Sequence, residues 1–164
     1  MIRRATTEDI PAIRQIADIA FRDTYKDILS HEQMDYMMDW MYSDSSLLLQ
    51  MSQESHIFFI EDGKGYVSFR KGAGAEEKNP IYHIEKLYVL PQFQGQGLGR
   101  KLFETVVENA KSFTAGPVRI ELNVNRENKA VSFYEHLGMH KDREGDFPIG
   151  KGFFMNDYIM AIDL

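Results

Sequence analysis

The sequence predicts an α+β fold in a single domain covering residues 1–164, and three observations carry that reading. Apolar residues recur at helical spacing in some segments and alternate or cluster as β-rich runs in others, with no repeat, linker or low-complexity stretch between them. Asp62-Gly63 separates two β-rich runs, the pairing that tolerates positive φ in a tight hairpin turn. The apolar run L87-Y-V-L-P leads through Q94-G-Q-G-L-G-R-K101 directly into a helical pattern.

The elements follow in order. M1-I-R-R is a short first strand. Thr6 or Thr7 offers an N-cap oxygen to a helix on which Ile10, Ile13, Ile16, Ala17, Ala20 and Phe21 share a face. S30-H-E-Q33 has the form of a capping box and opens a second helix over 31–41, and a shorter helix follows within 45–53. Residues 56–70 make the hairpin, 71–80 a polar glycine-containing loop, and 81–90 a long strand. Leu98, Leu102, Phe103, Val106, Val107, Ala110 and Phe113 mark the next helix, closed by Ala115-Gly116-Pro117. A strand over 118–124, a helix over 128–137 ended by Gly138, and two strands near 139–143 and 153–162 complete the chain.

Composition bounds the function. With 164 residues, 43% hydrophobic and 27% charged, the chain can bury a core without staples. The absence of cysteine removes disulfides, thiolate nucleophiles and Cys-type zinc sites. The N-terminus lacks an apolar signal core and no run approaches 18 apolar residues, so the expectation is a soluble, cytoplasmic protein without a membrane partner. A formal net charge of -6 argues against non-specific nucleic-acid binding and suits a cationic partner. The five histidines show no metal-ligand spacing, and no metal is expected.

The glycines at 95, 97 and 99 raise the question of a phosphate site, because the first turn of a helix leaves backbone amides unpaired at the positive end of its dipole. A dinucleotide fingerprint starting at Gly95 would need glycine where Arg100 stands. A Walker loop would need a G-K-[ST] frame that neither Lys64 nor Lys151 supplies. A plain tight turn remains the alternative.

A third pattern, Q/R-x-x-G-x-G/A, is met by Q94-G-Q-G-L-G99 at every fixed position, and it resembles the acetyl-CoA pyrophosphate loop of the GNAT superfamily of N-acetyltransferases. Downstream, N125-R-E-N-K-A-V-S-F-Y-E-H-L-G-M139 resembles that family's N-x-x-A-x-x-F-Y-x-x-x-G-F segment, with Met139 in place of the usual Phe. The resemblance implies a mixed, mostly antiparallel central sheet of about six to seven strands flanked by about four helices, splayed between the fourth and fifth strands. It implies acetyl-CoA as donor. Gln94, Gly95, Gln96, Gly97, Leu98, Gly99 and Arg100 would hold the pyrophosphate, with Lys101 adding charge nearby. Backbone groups of Leu87, Tyr88 and Val89 would pair with the pantetheine arm, and Asn128 would touch it, a role compatible with N-capping.

The chemistry of transfer needs a base for the amine and an acid for the departing thiolate. Tyr134 matches the family's acid, although it also sits on an amphipathic helix where core packing would explain it. Glu85 matches a carboxylate used as base directly or through water, and His83 alternates onto the same strand face unless a bulge intervenes. The segments 21–30, 34–42 and 147–158 would frame the acceptor, and their layout resembles bacterial spermine/spermidine-type acetyltransferases. Asp23, Asp27, Asp35, Asp39 and Asp157 with Tyr25, Tyr36 and Trp40 could make an acidic, aromatic site for a polyamine. More prosaically, Met34, Met37, Met38 and Met41 form a core face and the aspartates its solvated side. A protein N-terminus or amino acid as acceptor, a CoA-binding sensor without turnover, and an assembly module or homodimer built on the Met-rich helix stay open as alternatives.

Overall fold

The computed structural model describes residues 1–72 and 80–164, so most of the loop expected over 71–80 lies outside the described residues. The chain divides into two compact units, Met1–Arg70 with Lys86–Val106 and Lys71–Glu85 with Val107–Leu164.

In the first unit, β1 (Arg3–Arg4) pairs antiparallel with β2 (Ile57–Glu61), which pairs antiparallel with β3 (Gly65–Lys71). Gly63, at φ 71, makes the turn foreseen at Asp62-Gly63. Helix α1 (Ile10–Tyr25) begins later than its sequence pattern suggests. Thr6 caps a 3-10 turn at Thr7–Asp9 instead, with a reciprocal bond from Thr6 N to Asp9 Oδ2, and the proline in the first turn of α1 costs no helical bond because its missing donor would have been unused. Helix α2 (His31–Tyr42) is capped by Ser30, whose Oγ accepts from Gln33 N at 3.1 Å. Ser43 caps α3 (Asp44–Ser52), the short helix expected over 45–53.

The apolar stripe of α1 supplies the core: Ile13, Ile16, Ala17 and Ala20 pack with Tyr42, Leu47, Phe58, Ile60 and Tyr66. Each such large side chain removed from water contributes roughly 1.5–3 kcal/mol before entropy is counted. Met34 and Met37 are buried and Met38 and Met41 pack on the core, so the methionine stripe of α2 faces inward. Arg3 joins β1 to its surroundings, its Nη2 lying 2.7 Å from both Asp9 Oδ1 and Asp62 Oδ1.

The second unit is built on the first half of β4 (Ile81–Val89), the last turns of α4 (Leu98–Phe113), β5 (Arg119–Asn125), α5 (Ala130–His136), β6 (His140–Gly150) and β7 (Phe153–Asp163). β4 and β5 run parallel, while β5 and β6 both pair antiparallel with β7. The overall strand order is β1-β2-β3-β4-β5-β7-β6, a seven-stranded mixed sheet of the predicted α+β class, with five α-helices among the described residues where about four were expected.

Two further elements, both in the second unit, differ from their sequence patterns. The helix expected over 128–137 is shorter, spanning Ala130–His136, with Asn128 ahead of it accepting at Oδ1 from Ala130 N. The strand expected near 139–143 runs on to Gly150 despite Gly145 and Pro148. β6 is the edge of the order, so the donor that Pro148 lacks is needed by no further strand, and register shifts near Lys141/Arg143 and Pro148/Gly150 absorb the irregular residues.

Candidate active site

In the first unit the site segment begins where β4 ends. Val89 is buried, Leu87 and Tyr88 are half-buried, and the Tyr88 ring packs against Phe21 and Tyr66 at centroid distances of 6.0 and 6.1 Å. Gln94 Nε2 donates to the Val89 carbonyl at 3.0 Å, which ties the following loop to the strand end. Gly95 and Gly97 stand at φ 79 and 86, in the left-handed region where a side chain is strained. A Cβ on either would meet nothing within 4 Å, so conformation and not crowding calls for glycine. Gly99 differs from them, lying inside the first turn of α4.

The first helical bond of α4 closes from Lys101 N to Gly97 O at 3.1 Å, so the amides ahead of it have no partner within the helix. No acidic residue occupies that first turn, while Arg100 and Lys101 are exposed beside it. Gln94, Gly95, Gln96 and Gly97 are exposed and Leu98 is buried as the helix's anchor. Bare donors, positive charge and open space together suit an anionic group of phosphate size.

In the second unit, the β4–β5 ladder pairs Ile81 with Arg119 through Ile84 with Leu122, without a register shift. The unbroken alternation puts His83 and Glu85 on one face of β4, both half-buried. His83 stands opposite Glu121, and β5 is in continuous register with β7, so Glu121, Asn123, Asn125 and Asp157 share that face. Glu85 and Asp157, two of the carboxylates singled out in the sequence, are therefore on one sheet face with β5 between them.

The acids on that face are not alike. Glu121 accepts from Arg119 Nε at 2.8 Å and Arg143 Nη2 at 3.0 Å; burial pushes its carboxyl up, but the two guanidinium groups win and hold it below its ordinary value. Asp157 is 6% exposed, accepts at Oδ2 from Asn123 Nδ2 at 3.2 Å, and has no partner for Oδ1 among the described residues. Burial raises its pKa against the opposing pull of Asn123 and the Arg126 charge.

Tyr134 is buried on α5, its ring centroid 5.2 Å from that of Phe133. Asn128 Oδ1 accepts from Ala130 N at 2.8 Å, the capping role its position suggested. Of the acidic residues assigned to an acceptor site, Asp23 is paired with Lys26 at 3.1 Å and Asp35 with Arg22 at 2.7 Å. Tyr36 and Trp40 stack at 6.1 Å on α2, and Trp40 is half exposed. Sequence reasoning passed over Asn123. Its signal was present in R119-I-E-L-N123, where polar residues alternate with apolar ones and so mark a polar sheet face.

Residues 17–152 match the family model described as an acetyltransferase (GNAT) domain. The chain is 26% identical over 155 residues to an uncharacterized N-acetyltransferase in the pepI 3' region of Lactobacillus delbrueckii subsp. lactis, covering 91% of this chain and 89% of that one. It is 26% identical over 141 residues to the uncharacterized N-acetyltransferase YjgM of Escherichia coli, covering 84% and 80%. In fold it is similar to a GCN5-related N-acetyltransferase from Rhodopseudomonas palustris, with TM-score 0.80 at 19% identity over 100% of this chain and 95% of that one. It is similar also to the PaiA N-acetyltransferase of Thermoplasma acidophilum, solved in complex with coenzyme A, with TM-score 0.73 at 21% identity over 100% and 98%.

Proposed function

The chain belongs to the GNAT acetyltransferase family, and on the premise that it is an acetyl-CoA-dependent N-acetyltransferase we propose that residues 1–164 act as one domain passing acetyl to a primary amine. The observation that carries the cofactor reading is the loop at the start of α4, with positive φ at Gly95 and Gly97 and an acid-free first turn beside Arg100. Its amides, from Gln94 to Arg100, receive the pyrophosphate. Leu87, Tyr88 and Val89 offer the backbone edge for the pantetheine amides, and Asn128 contributes its remaining amide group beyond the cap.

For the transfer, Glu85 takes the amine proton through a water, the amine nitrogen attacks the thioester carbonyl, and Tyr134 gives its phenolic proton to the departing thiolate. Placement of Glu85 on the polar sheet face with Asn123 and Asp157 supports the first role. A polyamine is the acceptor class favoured by the stacked Tyr36 and Trp40 with the exposed Asp39 next to Trp40 in the chain, since ring faces and carboxylates both attract ammonium groups.

Stabilisation by acetyl-CoA in a thermal melt tests the donor, and release of free CoA with spermidine, spermine, amino acids and peptides tests the acceptor. Tyr134→Phe should lower turnover far more than it weakens acetyl-CoA binding. Wild-type turnover in that variant at every pH removes Tyr134 from the mechanism, and stabilisation by acetyl-CoA with silence across the panel favours a sensor.

A further inference from the structure

The buried carboxylate of Asp157 has a use that the proposed catalytic groups leave unassigned. On β7 it stands opposite Asn125 of β5 on one side and Gly145 of β6 on the other. A Cβ at Gly145 would fall 2.9 Å from Cζ of Phe147, so the Phe147 ring lies over the position directly across from Asp157. Asn123, which holds Oδ2, is exposed, so the polar face meets solvent at that residue while Asn125 and Glu121 on the same face are buried. Oδ1 meets no donor among the described residues. The nearby guanidinium does not supply one: Arg126 reaches the Asp157 backbone carbonyl at 3.4 Å and the Asp146 carboxylate at 2.7 Å.

A carboxylate oxygen left without a donor in a site this buried is costly, and the contrast with Glu121, saturated by two arginines on the same face, shows that this sheet can satisfy an acid where structure alone requires it. An alkylammonium supplies what is missing, N–H donors with a positive charge for Oδ1 and an apolar flank for an aromatic ring. We propose that Asp157 anchors the ammonium of the incoming acceptor, Oδ1 accepting its N–H while Asn123 fixes Oδ2 and the Phe147 ring covers the alkyl side. The anchor rests on the acetyltransferase reading for its purpose, since it selects cationic amines as acceptors; after the proton leaves, Oδ1 goes on accepting an N–H from the neutral amine.

The test is amine-induced thermal stabilisation at pH 7.5 with butylamine, putrescine and spermidine, with 1-butanol as the uncharged counterpart, in wild type, Asp157→Asn and Asp146→Asn. At least one amine should stabilise wild type where butanol does not. Asp157→Asn should weaken that amine's apparent affinity by about tenfold or more while keeping the acetyl-CoA shift, and Asp146→Asn, which removes a neighbouring exposed carboxylate, should keep both. An unchanged amine response in Asp157→Asn, an equal loss in Asp146→Asn, or no response of wild type to any amine overturns the anchor. If the amine response depends on Asp157 but acetyl-CoA does not stabilise wild type, the anchor stands and the transferase reading falls.

Discussion

The side-chain amide of Gln94 donates to the Val89 carbonyl at 3.0 Å, so the glycine loop is tied to the last residue of β4 before α4 begins. The tie acts on a segment with two left-handed glycines and no crowding at either, a backbone that would otherwise sample many shapes. Gln94→Ala should therefore cost about 1 kcal/mol of stability. It should also weaken acetyl-CoA binding by roughly three- to tenfold, through lost preorganisation. Calorimetric titration beside a denaturant melt separates the two effects, and unchanged affinity removes Gln94 from the cofactor loop.

Gly97 allows conformation and charge to be told apart. At φ 86 with nothing within 4 Å of its Cβ position, Gly97→Ala meets strain alone, about 1–2 kcal/mol. Gly97→Asp adds the same strain and puts a negative charge at the start of α4, where it favours the helix dipole but repels a pyrophosphate. The Asp variant should thus fold at least as well as the Ala variant and yet lose acetyl-CoA binding. Equal affinity in the two variants would place the anion elsewhere.

These glycines and the helix that follows were legible in the sequence because left-handed turns and amphipathic stripes depend on local residue type. The same holds for the Asp62-Gly63 hairpin and the Thr6 and Ser30 caps. Less legible was whatever depends on partners distant in sequence. β6 reads as broken at Gly145 and Pro148, and only its position at the sheet edge makes a strand through Pro148 tolerable. Likewise Glu121 differs from Asp157 partly through a local partner, Arg119 two residues away on β5, and partly through Arg143, which reaches it from β6 and is not visible locally. Asp35 reads as a ligand for a cation and proves to be held by Arg22 from the preceding helix.

Tyr42 and Tyr66 meet through their hydroxyls inside the first unit, each at 1% exposure or less. Burial pushes both phenols well above their ordinary pKa, so they remain neutral and one must donate to the other. Tyr42→Phe strands the Tyr66 hydroxyl and should cost about 1–2 kcal/mol. The double variant Tyr42→Phe/Tyr66→Phe removes both polar ends while keeping the rings, and should recover most of that loss. Chemical denaturation of wild type, Tyr42→Phe, Tyr66→Phe and the double variant reads the coupling directly, and additive losses would mean that each hydroxyl has another partner.

Asp157 gives the prediction in which stability and function separate. Its folded pKa is raised by burial, so below the ordinary aspartate range both folded and unfolded chains carry the proton and the group is neutral toward folding. As pH rises past about 4 the unfolded chain ionises first. Stability then declines until the folded-state pKa is passed, and levels off above it. Asp157→Asn lacks this decline. It should match or exceed wild type by about 1–2 kcal/mol at neutral pH, with the difference opening across that window and closing in acid. A variant that gains stability while losing amine binding would mark the Asp157 charge as one kept for what it binds and not for the fold. Urea melts of both proteins from pH 3.5 to 8 check the sign, and a variant less stable than wild type at neutral pH would show that the Asp157 charge supports the fold.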